Sequence, residues 1–122
     1  MNKYRNKITY VNGKRFDSKK EAMRYLILKD RQDHNEISDL QMQVPYELLP
    51  AVYEEQIVHL KTKDKVVNKC IQRAVNYIAD FVYNDSKTGR QVIEDVKGRK
   101  TKEYLLKKKM MRAILGLTIT ET

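Results

Sequence analysis

Asp80 and the Asp95–Lys97 pair are the residues with the clearest capacity for chemistry. Side chains alternate between the two faces of a β-strand. Asp80 would therefore share a face with Ile78 and Val82, where a charge is out of place. In the next apolar segment, Asp95 and Lys97 share a face in the same way. If the two segments form a hairpin, two carboxylates and an ammonium group meet at one end of a sheet.

The register of that hairpin decides whether the two acids meet. Asp80 lies beside Asp95 only if the numbers of paired residues sum to an odd value near 175, because pairing Asp80 with Glu94 would turn Asp95 to the other face. Strict alternation also predicts which side chains of this strand lie on the face opposite to that of Asp80. They are Tyr77, Ala79, Phe81 and Tyr83.

Two converging carboxylates suit a divalent cation. They repel one another when both are ionised, and Mg²⁺ prefers oxygen ligands while keeping some of its waters. A nearby lysine, here Lys97, offsets part of the charge and can orient a water nucleophile. These are the parts of a metal-assisted phosphodiester hydrolysis. Glu21 could supply a further carboxylate, and the basic segment after Lys97 could hold a phosphate backbone.

Each of these residues also has a purely structural interpretation. Ser18 and Glu21 have the spacing of a capping box. Asp80 could be a charge that keeps an edge strand from pairing, and Asp95 with Lys97 could form a surface salt bridge of small value. The joint pattern favours the chemical interpretation, because each acid stands in an otherwise apolar strand and a turn-rich segment joins the two.

The elements that must position these residues can be read along the chain. Asn12-Gly13 predicts a hairpin between residues 8–11 and 14–16, and Ser18 predicts a helix from residue 18 to about 34. We expect loop then strand over residues 37–47, a strand over 51–60, an undecided segment at 66–71, strands over 73–83 and 91–97, a helix over 102–115 capped by Thr101, and a strand over 117–120. Residues 44–75 are interpreted as including a family-specific hairpin.

The length of the chain predicts one domain over residues 1–122, and the order of the expected helices and strands makes it α/β (α+β), with residues 1–7 as a flexible basic arm. The 122 residues carry 25 Lys and Arg against 16 Asp and Glu, a net charge of +9. Eight basic residues and one acid fall within residues 97–112, and seven basic residues and one acid within residues 1–20. Basic ends around an acidic middle favour a nucleic-acid partner.

The same composition excludes a membrane-spanning protein and a protein stabilised by disulfides or structural zinc. With 34% charged residues and no long apolar run, the sequence predicts no membrane span. The single cysteine, Cys70, cannot form an internal disulfide, and with only two histidines it makes no structural zinc set. We therefore expect an intracellular protein, in the cytoplasm of a host cell.

Five blocks in this order resemble the PD-(D/E)xK nuclease superfamily, and more closely a group of small phage-encoded proteins placed within it. The blocks span nearly the whole chain: residues 16–22 (FDSKKEA), 36–40 (EISDL) with Gln43, 77–83 (YIADFVY), 94–98 (EDVKG) and 100–104 (KTKEY). The resemblance implies a restriction-endonuclease-like αβββαβ core, with a mixed sheet flanked by two helices.

The resemblance also implies roles for individual residues. The metal ligands would be Asp80, Asp95 and the backbone carbonyl of Val96, with Glu21 as the acid of the first helix and Lys97 as the catalytic lysine. The metal would be Mg²⁺, for which Mn²⁺ can substitute. At a family-like position, Gln43 would contact the metal site or the scissile phosphate, although a hydrogen bond at a strand end would serve the fold alone.

The expected DNA contacts are basic side chains near the acidic residues. They are Lys19, Lys20, Arg99, Lys100, Lys102, Lys107, Lys108, Lys109 and Arg112. A solvated helix face is the alternative for the last four. If both basic tracts bind phosphates around one cleavage point, they should flank the acidic site on one surface.

Three functions are compatible with these features. The leading hypothesis is a Mg²⁺-dependent DNA endonuclease that acts on branched or structured DNA, resembles a Holliday-junction resolvase, and works as a homodimer in phage recombination or replication. A non-catalytic nucleic-acid-binding protein on the same fold is the second hypothesis. A phage accessory protein that binds another protein is the third. Cleavage that needs Mg²⁺ separates the first from the others.

Overall fold

The computed structural model describes residues 7–96 and 100–122, and it confirms the predicted α+β class. A mixed four-stranded sheet carries one helix on each face. The elements are β1 (Thr9–Val11), β2 (Lys14–Phe16), α1 (Lys19–Asp33), β3 (Ile37–Leu49), β4 (Val52–His59), β5 (Asp64–Gln72), β6 (Val75–Asp85), β7 (Gln91–Asp95), α2 (Lys102–Met110), a π-helical turn (Met111–Leu115) and β8 (Ile119–Glu121).

The main sheet has the strand order β3-β6-β7-β8. The pairs β3–β6 and β6–β7 are antiparallel, whereas β7 and β8 are parallel. A parallel pair needs a crossover connection, and α2 provides it. The core order of α1, three strands, α2 and β8 is therefore the predicted αβββαβ arrangement.

The local signals at the start of the chain are confirmed. Asn12 and Gly13 both have positive φ, 52° and 77°, as a type I′ hairpin turn requires. Ser18 caps α1, because its hydroxyl accepts a hydrogen bond of 3.1 Å from the amide of Glu21. Residues 1–6 of the predicted basic arm lie outside the described residues.

Several predicted boundaries are wrong where pairing is non-local. The expected loop at residue 37 is the start of β3, because Ile37 already pairs with Asp85 of β6. The undecided segment at 66–71 is part of β5, which forms a separate two-stranded sheet with β4. The expected final strand starts at Ile119 and not at residue 117. The predicted end of the preceding helix is confirmed, because Leu115 is its last residue and Gly116 follows with a left-handed φ of 68°.

Two apolar clusters lie on opposite faces of the main sheet. The cluster on the α2 side contains Leu48, Tyr77, Ala79, Val82, Ile93, Tyr104, Met111 and Ile119. The cluster on the α1 side contains Phe16, Ala22, Tyr25, Leu28, Ile37, Phe81 and Tyr83. In the described ranges, no helix combines the length and apolar character that a membrane crossing would need.

Strand β6 changes face in its middle, which corrects the predicted alternation. Tyr77 and Ala79 pack on the α2 side, but Phe81 and Tyr83 pack on the α1 side. Strand β3 changes face at the same level. Its early residues Leu40 and Met42 pack against the α1-side cluster, and its later residues Val44 and Tyr46 pack against the α2-side cluster.

The change of face is centred on Gln43 and Asp80. Gln43 has a left-handed φ of 54°, which interrupts the regular pleat. The ladder keeps the same register on both sides of this point, with Met42 opposite Phe81 and Val44 opposite Ala79. Gln43 therefore falls opposite Asp80, so two of the predicted site residues occupy the position where the sheet changes face.

Candidate functional site

The β6–β7 ladder brings Asp80 and Asp95 together. Val82 pairs with Ile93, and the paired residue numbers sum to 175, as predicted. The ladder ends at the pair Phe81–Glu94, and the same register extended by one residue sets Asp80 opposite Asp95. Directly opposed residues point to the same face, and Val82 and Ile93 both belong to the α2-side cluster. The register therefore directs Asp95 towards the α2 face, and the charge of Asp80 acts on the same α2-side tyrosines, Tyr77 and Tyr104.

A hydrogen bond from the residue that follows Asp95 holds Asp80. The amide of Val96 donates to Asp80 Oδ2 over 2.8 Å. Val96 follows directly after β7, so this contact ties the end of β7 to the middle of β6. The resemblance implies that the carbonyl of Val96 is a metal ligand, and the amide contact places the backbone nitrogen of the same residue beside Asp80.

Tyrosine hydroxyl groups surround Asp95, which is only 1% exposed. The Tyr77 hydroxyl donates to Asp95 Oδ2. Burial, this hydrogen bond and the negative charges of Asp95 and Asp80 together raise the pKa of Tyr77. Burial and a hydrogen bond to Glu121 raise the pKa of Tyr104, and the charges of Asp95 and Asp80 add to that effect. Both tyrosines respond to both aspartates, so the four side chains form one cluster.

Glu121 extends this cluster to the neighbouring strand. The parallel β7–β8 ladder pairs Asp95 with Glu121, and the amide of Thr122 donates to the Asp95 carbonyl over 3.0 Å. Asp80, Asp95 and Glu121 thus occupy the same level of three adjacent strands. The sequence analysis missed Glu121. Its one signal was its place as the only acid after Glu103, in a strand of an otherwise basic region.

Lysines and a tyrosine surround the Glu121 carboxylate. Tyr104 donates its hydroxyl over 2.7 Å, and the ammonium groups of Lys100 and Lys108 lie 3.1 Å and 3.2 Å away. The hydrogen bond from Tyr104 and those from the lysines lower the pKa of Glu121 to about 2. Glu121 is therefore ionised at any physiological pH.

Glu21 lies at the start of α1 and contacts Gln43. Its side chain is nearly buried, at 7% exposure, and Gln43 Nε2 donates to Glu21 Oε1 over 2.9 Å. Because Gln43 falls opposite Asp80 in the β3–β6 ladder, Glu21 reaches the neighbourhood of the aspartates through this glutamine. A hydrogen bond thus joins Gln43, the predicted accessory residue, to Glu21, the residue at the capping-box position.

The acids do not assemble into a ready-made cage. Within residues 7–96 and 100–122, no three His, Cys, Asp or Glu side chains are grouped closely enough to hold one ion. Glu21 therefore does not complete a three-acid set with Asp80 and Asp95. Lys97 and Arg99, predicted as the catalytic lysine and a DNA contact, lie outside the described residues.

Glu94 is the neighbour of Asp95 in sequence and points to the opposite face. It is fully buried at 0% exposure. Arg24 of α1 holds it in a two-pronged contact, with Nε to Oε1 at 2.8 Å and Nη2 to Oε2 at 2.7 Å. The Tyr83 hydroxyl and Thr122 also donate to it. Sequence reasoning missed Arg24, because the two partners are 70 residues apart.

This geometry sets the pKa values of the pair. Burial alone would raise the pKa of Glu94, but the hydrogen bonds from Arg24 and Tyr83 outweigh it, so the pKa of Glu94 lies below its ordinary value. The hydrogen bond to Glu94 raises the pKa of Arg24. Burial and the contact with Glu94 raise the pKa of Tyr83 to about 12. Glu94 is therefore a buried structural carboxylate that joins α1 to the sheet.

The basic side chains reach these strands from both faces. Lys100 and Lys108 contact Glu121 on the α2 side, and Lys107 pairs with Glu103 at 3.0 Å on the same helix. Exposed basic residues stand at the start of α1 and along the last helical segment: Lys19, Lys20, Lys102, Lys109 and Arg112. The two helices cover opposite faces of the sheet, and the expectation that the two tracts flank the acidic site on one surface stays a prediction.

The fold and the cluster define a small α+β protein with facing aspartates on its two central strands and a basic helix beside them. A model for the family described as proteins of unknown function, DUF1064, matches residues 1–116, so the chain belongs to that family. No curated protein and no solved structure gives a significant match.

Proposed function

We propose that this protein is a Mg²⁺-dependent DNA endonuclease that acts on branched or structured DNA. One observation carries the proposal: the β6–β7 register, extended by one residue beyond its last pair, sets Asp80 opposite Asp95, and Lys100 after β7 contacts Glu121 on the neighbouring strand. A pair of facing acids raises the energy of a protein unless a cation or a proton relieves it. In a chain of net charge +9, a phosphate-rich partner accounts for the surrounding lysines.

The donor set fits a hard cation. Asp80 and Asp95 offer carboxylate oxygens, and the peptide of Val96 stands beside Asp80. Mg²⁺ is typically bound by one or two carboxylates and completes its shell with water and substrate phosphate oxygens. The softer ligands in the described ranges lie elsewhere: His34 contacts Asp30, His59 contacts Asp64, and Cys70 is exposed on β5.

Hydrogen bonds from neighbouring groups would orient the Asp80 and Asp95 carboxylates. The Val96 amide fixes the direction of Asp80, and the Tyr77 hydroxyl fixes that of Asp95. Lys97, two residues after Asp95, would position the attacking water, as the resemblance implies. Mg²⁺ bound here would stabilise the charge that develops on the phosphate and would lower the pKa of water. The basic side chains of α2 would hold the flanking backbone.

The resemblance to phage nucleases extends the proposal. It favours branched DNA as substrate, a homodimer as the working form, and a role in phage recombination or replication. These features rest on analogy at the level of the family. An intracellular location agrees with a DNA substrate and with the exposed thiol of Cys70, which a reducing compartment keeps free.

The decisive experiment compares cleavage of linear, nicked and four-way DNA with Mg²⁺, Mn²⁺ or EDTA. Asp95→Asn keeps the shape of the side chain and removes its charge, so cleavage should fall about 1,000-fold, the scale of lost electrostatic stabilisation of a transition state. Asp80→Asn should behave likewise. Lys97→Ala should abolish cleavage but permit metal binding, since the lysine is no ligand.

Glu94→Gln is the matched control, because it alters the adjacent acid on the opposite face. It should keep most of its cleavage at a temperature where circular dichroism shows it folded. DNA binding in EDTA should survive in all four variants. An inactive Glu94→Gln beside an active Asp95→Asn would refute the site. DNA binding without cleavage by the wild type under any metal would establish the non-catalytic alternative.

A further inference from the structure

The Glu121 carboxylate lies in a cradle made by three donors from one short stretch of chain. The cradle consists of Lys100, just before α2, and of Tyr104 and Lys108 on the helix. Tyr104 and Lys108 are four residues apart and so project from the same side of α2. The distances from the donors to Glu121 are 3.1, 2.7 and 3.2 Å.

Two ammonium groups and a hydroxyl group that converge on one point form a general oxyanion site. Lysine binds phosphate as a point charge, and charge-assisted hydrogen bonds of this length are among the stronger ones in proteins. The cradle stabilises the negative charge of Glu121 strongly enough to lower the pKa of this carboxyl to about 2. Burial and its acidic neighbours raise the pKa of Tyr104, so its hydroxyl remains a donor.

The cradle lies one strand away from the acidic pair. Asp95 and Glu121 are partners in the β7–β8 ladder, and neighbouring strands are about 4.8 Å apart. A DNA strand whose phosphate is attacked beside Asp95 would carry its adjacent phosphate past this position. The Glu121 side chain is 23% exposed, so it can turn towards solvent while its backbone stays in the ladder.

We propose that Lys100, Lys108 and Tyr104 bind the DNA phosphate next to the scissile one, and that Glu121 occupies this site until DNA displaces it. The proposal rests on the proposed function, since it names a subsite of the same DNA surface. Glu121 is then an internal competitor: it keeps two lysines in place in the free protein and weakens DNA binding. Specific DNA must supply a phosphate in the correct position to replace it.

Glu121→Gln tests this competition, because glutamine keeps the shape and loses the charge. Each phosphate contact contributes about −0.9 to the slope of log K against log salt concentration. Freeing two lysines should therefore steepen the slope by about 1 to 2 and tighten binding several-fold at low salt. The measurement is fluorescence polarisation of four-way and duplex DNA in EDTA over a range of KCl concentrations.

Glu103→Gln is the matched control. It also adds one unit of net charge, and it frees Lys107 from a 3.0 Å ion pair on the same helix. A gain confined to Glu121→Gln, and erased by adding Lys108→Gln, supports the cradle. Equal gains in both variants would reduce the effect to net charge and overturn the proposal. Weaker binding by Glu121→Gln would also overturn it, because Glu121 would then only position the lysines.

A second readout keeps this proposal separate from the proposed function. Inorganic phosphate at constant ionic strength should raise the Tm of Glu121→Gln but not that of the wild type or Glu103→Gln, since a vacated cradle can bind it. If Glu121→Gln shows this shift and the gain in DNA binding, yet no metal supports cleavage, the phosphate site stands and the nuclease proposal fails. If the wild type binds DNA but neither gain appears, the cradle proposal fails alone. Glu121→Ala repeats the comparison if Glu121→Gln does not fold.

Discussion

Glu94 and Asp95 are adjacent, almost completely buried and held in opposite electrostatic surroundings. On the α1 face, Glu94 receives both prongs of the Arg24 guanidinium and the hydroxyl of Tyr83. On the α2 face, Asp95 receives the hydroxyl of Tyr77 and lies opposite a second acid, Asp80. One strand therefore presents a carboxylate held by an arginine on one face and a carboxylate that faces a second acid on the other.

This difference separates a stabilising site from a functional one. A buried carboxylate with a bidentate arginine has all its lone pairs directed at fixed partners, so it favours a single structure. Two facing carboxylates cost stability through repulsion, and proteins keep such costs chiefly where function needs them. The α1 face fixes the orientation of β7, and with it the direction in which Asp95 points.

The largest expected effect comes from breaking the ion pair between Arg24 and Glu94 on the α1 face. Arg24→Met leaves Glu94 buried without its cation, and removal of one partner of a buried ion pair costs about 3–5 kcal/mol. Urea unfolding followed by circular dichroism measures the loss. Arg24→Met combined with Glu94→Gln should recover part of it, since no uncompensated charge then remains. A loss below about 1 kcal/mol in Arg24→Met would show that the pair acts like an exposed salt bridge.

The sequence predicts the fold most reliably where local rules apply. The Asn12-Gly13 turn and the Ser18 cap follow from residues within four positions of each other, and both are present. The odd register of β6 and β7 is the one at which Asp80 and Asp95 can meet across a short connection. Short-range signals of this kind need no knowledge of the rest of the fold.

Contacts between residues that are far apart in the chain could not be predicted from the sequence. Arg24 and Glu94 are 70 residues apart, and their contact exists only because α1 lies across the sheet. The change of face at Asp80 depends on the left-handed backbone of Gln43 in another strand. Glu121 became visible only when the parallel β7–β8 pairing placed it beside Asp95. In each case the missing information was which strand or helix lies next to which.

An intermediate effect should appear on the acidic face when cation is added. In EDTA, Asp95→Asn should change the free energy of unfolding by less than about 1 kcal/mol, because the repulsion it removes and the weaker hydrogen bond from Tyr77 oppose one another. Mg²⁺ in 10- to 100-fold excess over its Kd should stabilise the wild type by about 1–3 kcal/mol and leave Asp95→Asn unaffected. Thermal melts with and without Mg²⁺ measure both differences.

Glu94→Gln is the counterpart in the cation experiment. It should be less stable than the wild type in EDTA but gain the same increment from Mg²⁺, since the ligands on the α2 face are intact. An equal Mg²⁺ gain in Asp95→Asn would place the ion elsewhere. Loss of the gain in Glu94→Gln would mean that the two faces are coupled through β7.

The smallest expected effect is a difference in pH dependence between the two faces. The folded-state pKa of Glu94 is lowered, chiefly because the hydrogen bonds from Arg24 and Tyr83 outweigh burial. A lowered pKa contributes stability that is fully present above the unfolded value of about 4.3 and is lost as pH falls through the folded value. The stability gap between wild type and Glu94→Gln should therefore be widest near pH 7 and narrow below about pH 4.3. Urea titrations from pH 7 to pH 3 measure this gap, and the contribution of Glu121 cancels because both proteins contain it. A gap that stays constant down to pH 3 would mean that the Arg24 contact does not favour the ionised carboxylate, and the contrast between the two faces of β7 would rest on packing alone.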